Sequence, residues 1–128
     1  MVKSPKFFIP EDHYTDLCSW YFKRDMPAPR KEILPVTGVV VENVAAAFLI
    51  ATEGPICFIE GVIANKDISS RIRNEATKAC IRRIMEIAKA RGYEQIVGMT
   101  KVDCIVSDYA KHFNFKVMGQ YTMVAKQL

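Results

Sequence analysis

The chain has 128 residues, of which 50% are hydrophobic and 25% charged, and 18 Lys and Arg against 14 Asp and Glu give a formal net charge of +4. This length is that of one ordinary domain, and the composition excludes disordered and fibrous proteins. The positive charge favours an anionic partner such as a phosphorylated ligand, but it is well below that of dedicated nucleic-acid binders. We therefore expect one domain over residues 1–128 that does not bind nucleic acid.

The sequence predicts a cytoplasmic location. Residues 1–10 lack the apolar run of a secretory signal, and the longest apolar stretch, residues 44–64, contains Glu53 and Glu60, which are costly in a bilayer. The four cysteines have no CxxC or His-paired spacing, so we expect neither a metal site nor a disulfide framework. We interpret them as small apolar core residues of a cytoplasmic protein with no membrane partner. They are Cys18, Cys57, Cys80 and Cys104.

The first half of the chain predicts one helix and three strands. Apolar residues recur at helical spacing over Pro10–Phe22, and Glu11 and Asp12 favour a helix N-terminus there. Pro27 and Pro29 then predict a loop. Short links between the β-rich runs that follow predict an antiparallel meander, and their nearly continuous hydrophobicity predicts helices on both faces. These runs are Val36–Glu42, Ala45–Glu53 and Ile56–Ala64.

The second half predicts a helix, a strand, another helix and a terminal strand. The helix that follows Ser70 has an apolar stripe opposite a charged side, and the next strand, Tyr93–Thr100, should lie parallel to its neighbour. The last segment, Phe115–Lys126, is either a strand pair or one kinked strand. The predicted class is α/β, with a mixed, mainly antiparallel central sheet flanked by helices. The residues expected to end, cap or kink these elements are Gly92, Asp103, Asn114 and Gly119.

This order of elements, together with residues Arg71–Ala76, resembles the GNAT superfamily of acyl-CoA N-acyltransferases. The family signature is Arg or Gln, two residues, Gly, one residue, then Gly or Ala. It falls on Arg71, Asn74 and Ala76, with asparagine in place of the first glycine. The resemblance covers residues 36–128 and implies the GNAT fold, acetyl-CoA as co-substrate without a metal, and an amine acceptor. Compact bacterial and phage members are similar, and we expect a monomer or a homodimer.

The start of the helix after Ser70 is the expected cofactor site. A helix N-terminus presents unpaired N–H groups and a partial positive charge that bind phosphate oxygens, and Arg71 and Arg73 add full charges. The alternative is a plain basic helix start, with Asn74 as a cap and Glu75 in the first turn. The resemblance implies that acetyl-CoA contacts Val62, Ile63, Ala64, Arg71, Ile72, Arg73, Asn74, Glu75 and Ala76.

Glu60 is a candidate general base. Strand alternation places it on one face with Phe58, Val62 and Ala64, so its carboxylate faces a cleft or lies at a sheet margin. In many GNAT members an acidic residue on this strand removes the proton of the acceptor amine. A carboxylate paired with a lysine or exposed at an edge is the alternative.

Tyr109 is a candidate general acid. The resemblance implies a tyrosine that protonates the departing thiolate of CoA, but Ala110 occupies its position and Asn114 replaces the glycine that follows. A shift of one residue turns a side chain by about 100° around a helix. Tyr109 therefore either supplies the proton or packs in the core, in which case water supplies it.

Two functions fit these residues. The first is an N-acetyltransferase that transfers acetyl from acetyl-CoA to an amine of a small molecule or a protein. The second is a degenerate GNAT domain that binds CoA or a protein partner without catalysis, which the replaced motif residues favour. The resemblance places the acceptor between residues 10–31 and the C-terminal strand, and the sequence does not identify it.

Overall fold

The residues that the structure describes form a five-stranded sheet with helices on both faces. The computed structural model describes residues 2–99 and 109–128. Residues 109–113 are helical. The α/β class predicted from the sequence is confirmed. In chain order the other elements are β1 (Lys6–Phe7), α1 (Pro10–Phe22), a 3-10 helix (Lys31–Ile33), β2 (Thr37–Val41), β3 (Ala45–Ile50), β4 (Ile56–Ala64), α2 (Ser70–Ala90) and β5 (Gln95–Gly98).

The ends of both long helices follow from local chemistry. Pro10 begins α1 with its ring at the first helical position, and the Ile9 N–H donates to Nδ1 of His13 at 2.8 Å. Gly92, with φ +90°, follows α2 and takes the backbone conformation that ends a helix. Asn114, with φ +61°, does the same after residues 109–113. The predicted bounds of α1 and the predicted ends of the other two helices are confirmed, while Asp103 lies outside the described residues.

The sheet has the strand order β1-β2-β3-β4-β5. Its first four strands pair antiparallel, and β5 pairs parallel with β4 after the crossover through α2. The predicted meander and the predicted parallel strand are therefore confirmed. The sequence did not predict β1, because two residues are too few to show alternation.

Each face of the sheet carries its own apolar core. On the α2 face, strand side chains such as Leu49 and Ile59 pack against Ile84 and Cys80 of α2 and against Tyr109. On the α1 face the core consists of Phe8, Leu17, Trp20, Val40, Ala46, Phe48 and Ile63. A helix therefore packs on each face, as the continuous hydrophobicity of the strands predicts.

The cysteines are placed as the sequence predicts where the structure describes them. Cys57 and Cys80 are buried free thiols, and Cys18 is a half-buried one. Burial raises the pKa of Cys80 to about 12, which keeps this thiol protonated and inert at neutral pH. The fourth, Cys104, lies outside the described residues.

A β-bulge in β4 corrects the predicted arrangement of its side chains. Glu60 pairs with Phe48 and Ile63 pairs with Ala46, so two residues of β4 oppose one residue of β3. Gly61 lies in this bulge with φ +63°, a conformation that glycine adopts without strain. The bulge reverses the alternation, so Glu60 lies on the α1 face whereas Val62 packs on the α2 face. The prediction that both share one face is wrong.

The predicted C-terminal strands are a second correction. Residues 114–128 form neither strand nor helix. Phe115 is half-buried against Tyr109, but the apolar side chains after it are exposed, including Val117, Met118, Met123 and Val124. Strand propensity produces a strand only when a neighbouring strand supplies hydrogen-bond partners, and this segment makes no ladder. Within the described residues, no helix is long and apolar enough to cross a membrane.

Candidate functional site

A wedge opens between β4 and β5. Their parallel ladder runs from the pair Ile56–Gln95 to the pair Ile59–Gly98. Beyond that point β4 continues to Ala64, and no described residue pairs with this part of it on the β5 side. Backbone groups along the second half of β4 are thereby left for a ligand to contact.

Arg24 contacts the open edge of β4. The Asn65 N–H donates to the Val44 carbonyl at 2.7 Å, toward β3. Because the C=O and N–H of one trans peptide group point in opposite directions, the Ala64 carbonyl points away from β3, into the wedge. Arg24 donates to this carbonyl from Nε at 3.2 Å and from Nη2 at 3.0 Å. A guanidinium from the end of α1 therefore lies at the wedge, which sequence reasoning did not predict.

The loop from β4 to α2 is organised by Asn65. This side chain is buried, donates from Nδ2 to the Asn43 carbonyl at 2.9 Å and accepts the Asp67 N–H at 3.1 Å. Lys23 forms an ion pair with Asp67, with Nζ and Oδ2 2.6 Å apart. The pairing offsets the negative charge nearest to the start of α2, so the site keeps its preference for anions.

The N-terminus of α2 has the properties of an anion site. Ser69 is the N-cap, its side chain makes no capping hydrogen bond, and the first turn contains no acidic residue. The Arg73 N–H donates to the Ser69 carbonyl at 2.9 Å, which is the first bond of the helix. The N–H groups of Ser70 to Ile72 precede that bond and have no partner within the helix. They are available to phosphate oxygens.

This start corrects the alternative in which Asn74 caps the helix. Because α2 begins at Ser70, both Asn74 and Glu75 lie beyond its first turn. The signature residues therefore lie inside the helix, where N–H groups from Arg73 onward bond to carbonyls four residues earlier. Asn74 and Glu75 are exposed, whereas Ala76 is completely buried in the core on the α2 face.

The two arginines at the start of α2, Arg71 and Arg73, differ in their contacts. Arg71 is exposed at the start of α2. Arg73 is half-buried and donates from Nη1 to the Lys66 carbonyl at 3.2 Å, which ties it to the preceding loop. The other predicted cofactor residues are Ile72, half-buried in the first turn, and Ile63, buried on the α1 face.

A small cavity of about 50 Å³ adjoins the wedge on the α2 face. It brings together three residues predicted for the site, Val62, Asn74 and Tyr109, although they come from β4, α2 and the 109–113 helix. Its other lining residues are Thr77, Lys78, Ile81 and Phe113. Within the described residues, no three His, Cys, Asp or Glu side chains are grouped so as to hold a metal ion.

The charge of Glu60 affects the pKa values of two tyrosine hydroxyls, Tyr109 and Tyr21. Burial and then the Glu60 carboxylate raise the pKa of Tyr109 to about 12, and the same two causes raise the pKa of Tyr21. Tyr109 packs under Gly98, the last residue of β5, whereas Tyr21 comes from α1. Glu60 itself is exposed, and no ion pair within the described residues includes it. The structure thus brings the two predicted catalytic residues to the wedge.

Solved acetyltransferase structures have a similar fold. A probable acetyltransferase from Staphylococcus aureus has a TM-score of 0.72 and 16% identity over 99% of this chain and 100% of that one. The chain has the GNAT acetyltransferase fold. An acetyltransferase from Trypanosoma brucei shares this GNAT fold, with a TM-score of 0.70 and 13% identity over 96% and 99% of the two chains. An aminoglycoside acetyltransferase from an uncultured soil metagenomic sample has a TM-score of 0.64 and 16% identity over 98% of this chain and 95% of that one. No protein-family model and no curated protein sequence matches the chain.

Proposed function

We propose that this protein is an N-acetyltransferase that uses acetyl-CoA to acetylate an amine. The observation that carries the proposal is the wedge, in which the open edge of β4 leads directly to the unpaired N–H groups of α2. An extended polar arm ending in a pyrophosphate matches this arrangement, because the edge supplies backbone hydrogen bonds and the helix start binds phosphate. The GNAT fold supports the same assignment.

The residues present fit acetyl-CoA in charge and in hydrogen-bonding groups. The pyrophosphate would bind the N–H groups of Ser70 to Ile72, with Arg71 and Arg73 beside it. Since the cavity is only about 50 Å³, the pantetheine would lie along the open edge of Val62–Ala64 and not inside the cavity. Arg24, which donates to the Ala64 carbonyl at this edge, would then lie beside the arm.

The chemistry assigns one proton transfer to each catalytic residue. The amine nitrogen attacks the thioester carbonyl carbon while Glu60 accepts a proton from that nitrogen, directly or through water. A backbone N–H of the bulged segment after Glu60 stabilises the oxyanion. The C–S bond then breaks, and the hydroxyl of Tyr109 gives its proton to the thiolate of CoA. The products are an amide and free CoA.

Calorimetric titration with acetyl-CoA tests the cofactor site. We expect Arg71→Glu to weaken binding by about tenfold or more, since the change replaces an attractive charge beside the pyrophosphate by a repulsive one. Lys89→Glu is the matched control, because it makes the same charge change in the last turn of the same helix. If acetyl-CoA does not bind to the unaltered protein at millimolar concentration, the proposal is wrong. Equal affinity of the two variants would move the phosphate site away from α2.

A non-catalytic CoA-binding domain is the second candidate. The favouring observation is that the signature from Arg73 to Ala76 uses its N–H groups within α2, so a smaller part of the usual cradle is available. Release of free thiol from acetyl-CoA in the presence of amines separates the candidates. An enzyme releases one thiol per amide formed, whereas a binder shows calorimetric binding and no release.

A further inference from the structure

An apolar strip extends from the proposed acetyl-transfer point across the α1 face of the sheet. We define the apolar strip as Ile50 of β3, Ile56 and Phe58 of β4 and Val97 of β5. The register pairs Ile50 with Phe58 and Phe58 with Val97, so these three side chains form one row. Ile50 is 36% exposed and Ile56 37%.

Within the described residues, the strip remains partly open because α1 packs elsewhere on this face. The strand residues in the α1 core are Val40, Ala46, Phe48 and Ile63, none of which belongs to the strip. Phe48 is next to Ile50 along the same face of β3, so the exposed row continues the buried core. Ile50 and Ile56 are therefore exposed on the α1 side, and Phe58 and Val97 beside them are half-buried.

Glu60 lies at the inner end of the strip. It is two residues after Phe58 on the same face of β4, roughly 7 Å away along the strand. Tyr21 of α1 lies close enough for the Glu60 carboxylate to influence its hydroxyl. A ligand on the strip would thus place one end at Glu60, where β4 and β5 separate.

The charge along the strip selects against polycations. Among the strands that the structure describes, Glu60 is the only acidic residue. At the other end of the strip, the acidic residues Glu53 and Glu94 precede β4 and β5, so more than four residues, or roughly 13 Å, of strand separate them from Glu60. One ammonium group on an acceptor finds a partner at Glu60, but its further ammonium groups would lie on apolar side chains.

We propose that the acceptor is a monoamine carried on an apolar body, either aromatic or branched aliphatic. This inference rests on the proposed function and narrows its substrate class. The amine nitrogen lies at Glu60, and the apolar body covers Phe58, Ile50 and Val97. Polycationic acceptors such as aminoglycosides and polyamines fit this surface poorly.

The test measures thiol release with phenethylamine, ethylamine and spermidine, after calorimetry has established that acetyl-CoA binds. Phenethylamine and ethylamine present the same primary amine and differ only in the ring. We expect kcat/KM for phenethylamine to exceed that for each of the other two by about tenfold or more. Equal values, or a preference for spermidine, would overturn the acceptor class and leave the acetyltransferase proposal standing. Absence of acetyl-CoA binding would instead overturn both.

Variants of Ile50 locate the acceptor. Ile50→Lys should raise KM for phenethylamine by about tenfold without changing the affinity for acetyl-CoA, because it puts a positive charge on the strip. Ile50→Ser, which adds no charge, should raise KM by a smaller factor. Ile33→Lys is the matched control, since Ile33 is also exposed but lies on the 3-10 helix away from the strip. An unchanged KM in Ile50→Lys, or a change of oligomeric state in its place, would overturn the proposal.

Discussion

The Glu60 carboxylate and burial together hold the Tyr109 hydroxyl in its protonated form, although the two residues lie on opposite faces of the sheet. Burial is the larger cause and the charge of Glu60 the second, and they raise the pKa of Tyr109 to about 12. Such a phenol keeps its proton throughout the neutral range and has one to donate. Glu60 is exposed on the other face, where an incoming amine can reach it. The wedge between β4 and β5 thus separates the proposed proton donor from the proposed proton acceptor.

Replacement of Tyr109 by phenylalanine tests the donor role. We expect Tyr109→Phe to lower kcat by about a hundredfold, a typical contribution of general acid catalysis. The affinity for acetyl-CoA should not change, because the ring that packs against Phe115, with centroids 4.9 Å apart, is retained. Thiol release measures the first quantity and calorimetry the second. An unaltered kcat would make Tyr109 a packing residue and water the proton source.

The role of Glu60 as the proton acceptor can be tested by two independent measurements. Glu60→Gln should lower kcat at every pH, because the amide cannot accept the proton of the amine. It should also lower the pKa values of Tyr109 and Tyr21 relative to the unaltered protein, since each loses one of the two causes that raise it. Tyrosinate absorbance during alkaline titration measures this change. A full rate at all pH values would exclude Glu60 as the base, and an unchanged tyrosine titration would contradict the proximity of the two groups.

Local signals in the sequence predict most of the fold. The bounds of α1 and β4 match the prediction because a proline at the first helical position and turn residues beside the strand mark them. The prediction that Glu60 and Val62 share a face of β4 is wrong because a bulge reverses the alternation of side chains. The sequence around Gly61 does not reveal the bulge, because a bulge is defined by the pairing with the partner strand. The prediction of strands over Phe115–Lys126 is wrong because a strand forms only beside a neighbouring strand that supplies hydrogen-bond partners.

The candidate site is only partly encoded in local sequence. The basic start of α2 is visible as a cluster around Arg71, and helix geometry gives it the properties of an anion site. Arg24 could not be assigned, because its contact with Ala64 joins residues 40 positions apart. The approach of Glu60 to Tyr109 likewise depends on how the 109–113 helix packs on the sheet. Long-range contacts of this kind have no signature within a short segment.

The bulge at Gly61 is open to a direct test. Gly61→Ala introduces a Cβ at a φ of +63° and only 3.0 Å from Cδ1 of Phe48. We expect this variant to lose about 1–3 kcal/mol of stability and most of its activity, because relief of the strain displaces Glu60. Urea unfolding measures the stability. Gly54→Ala is the control, since its added Cβ meets nothing within 4 Å, and equal losses in the two variants would contradict a special role for the bulge.

Alkaline stability should depend on the buried thiol of Cys80. Its pKa rises from an ordinary 9.0 to about 12 because of burial, so above pH 9 the unfolded chain releases this proton while the folded chain keeps it. The folded state is therefore fully favoured below pH 9 and loses stability as the pH rises toward 12. Between about pH 8 and about pH 10 the thiol should cost on the order of 1.4 kcal/mol of stability. Cys80→Ala has no thiol to ionise, so its stability should decline less as the pH rises.

Urea unfolding under reducing conditions at these two pH values measures the decline in each protein. Cys80→Ala should begin less stable, because it leaves a small cavity between α2 and the sheet. The comparison uses the difference between the two pH values within each protein, which removes that constant cost. Tyr109, with its pKa raised from 10.0 to about 12, weakens the folded state in both proteins over the same range and cancels in the same way. Equal declines in the two proteins would show that the Cys80 thiol ionises as readily in the folded chain as in the unfolded one, and hence that the core on the α2 face admits water.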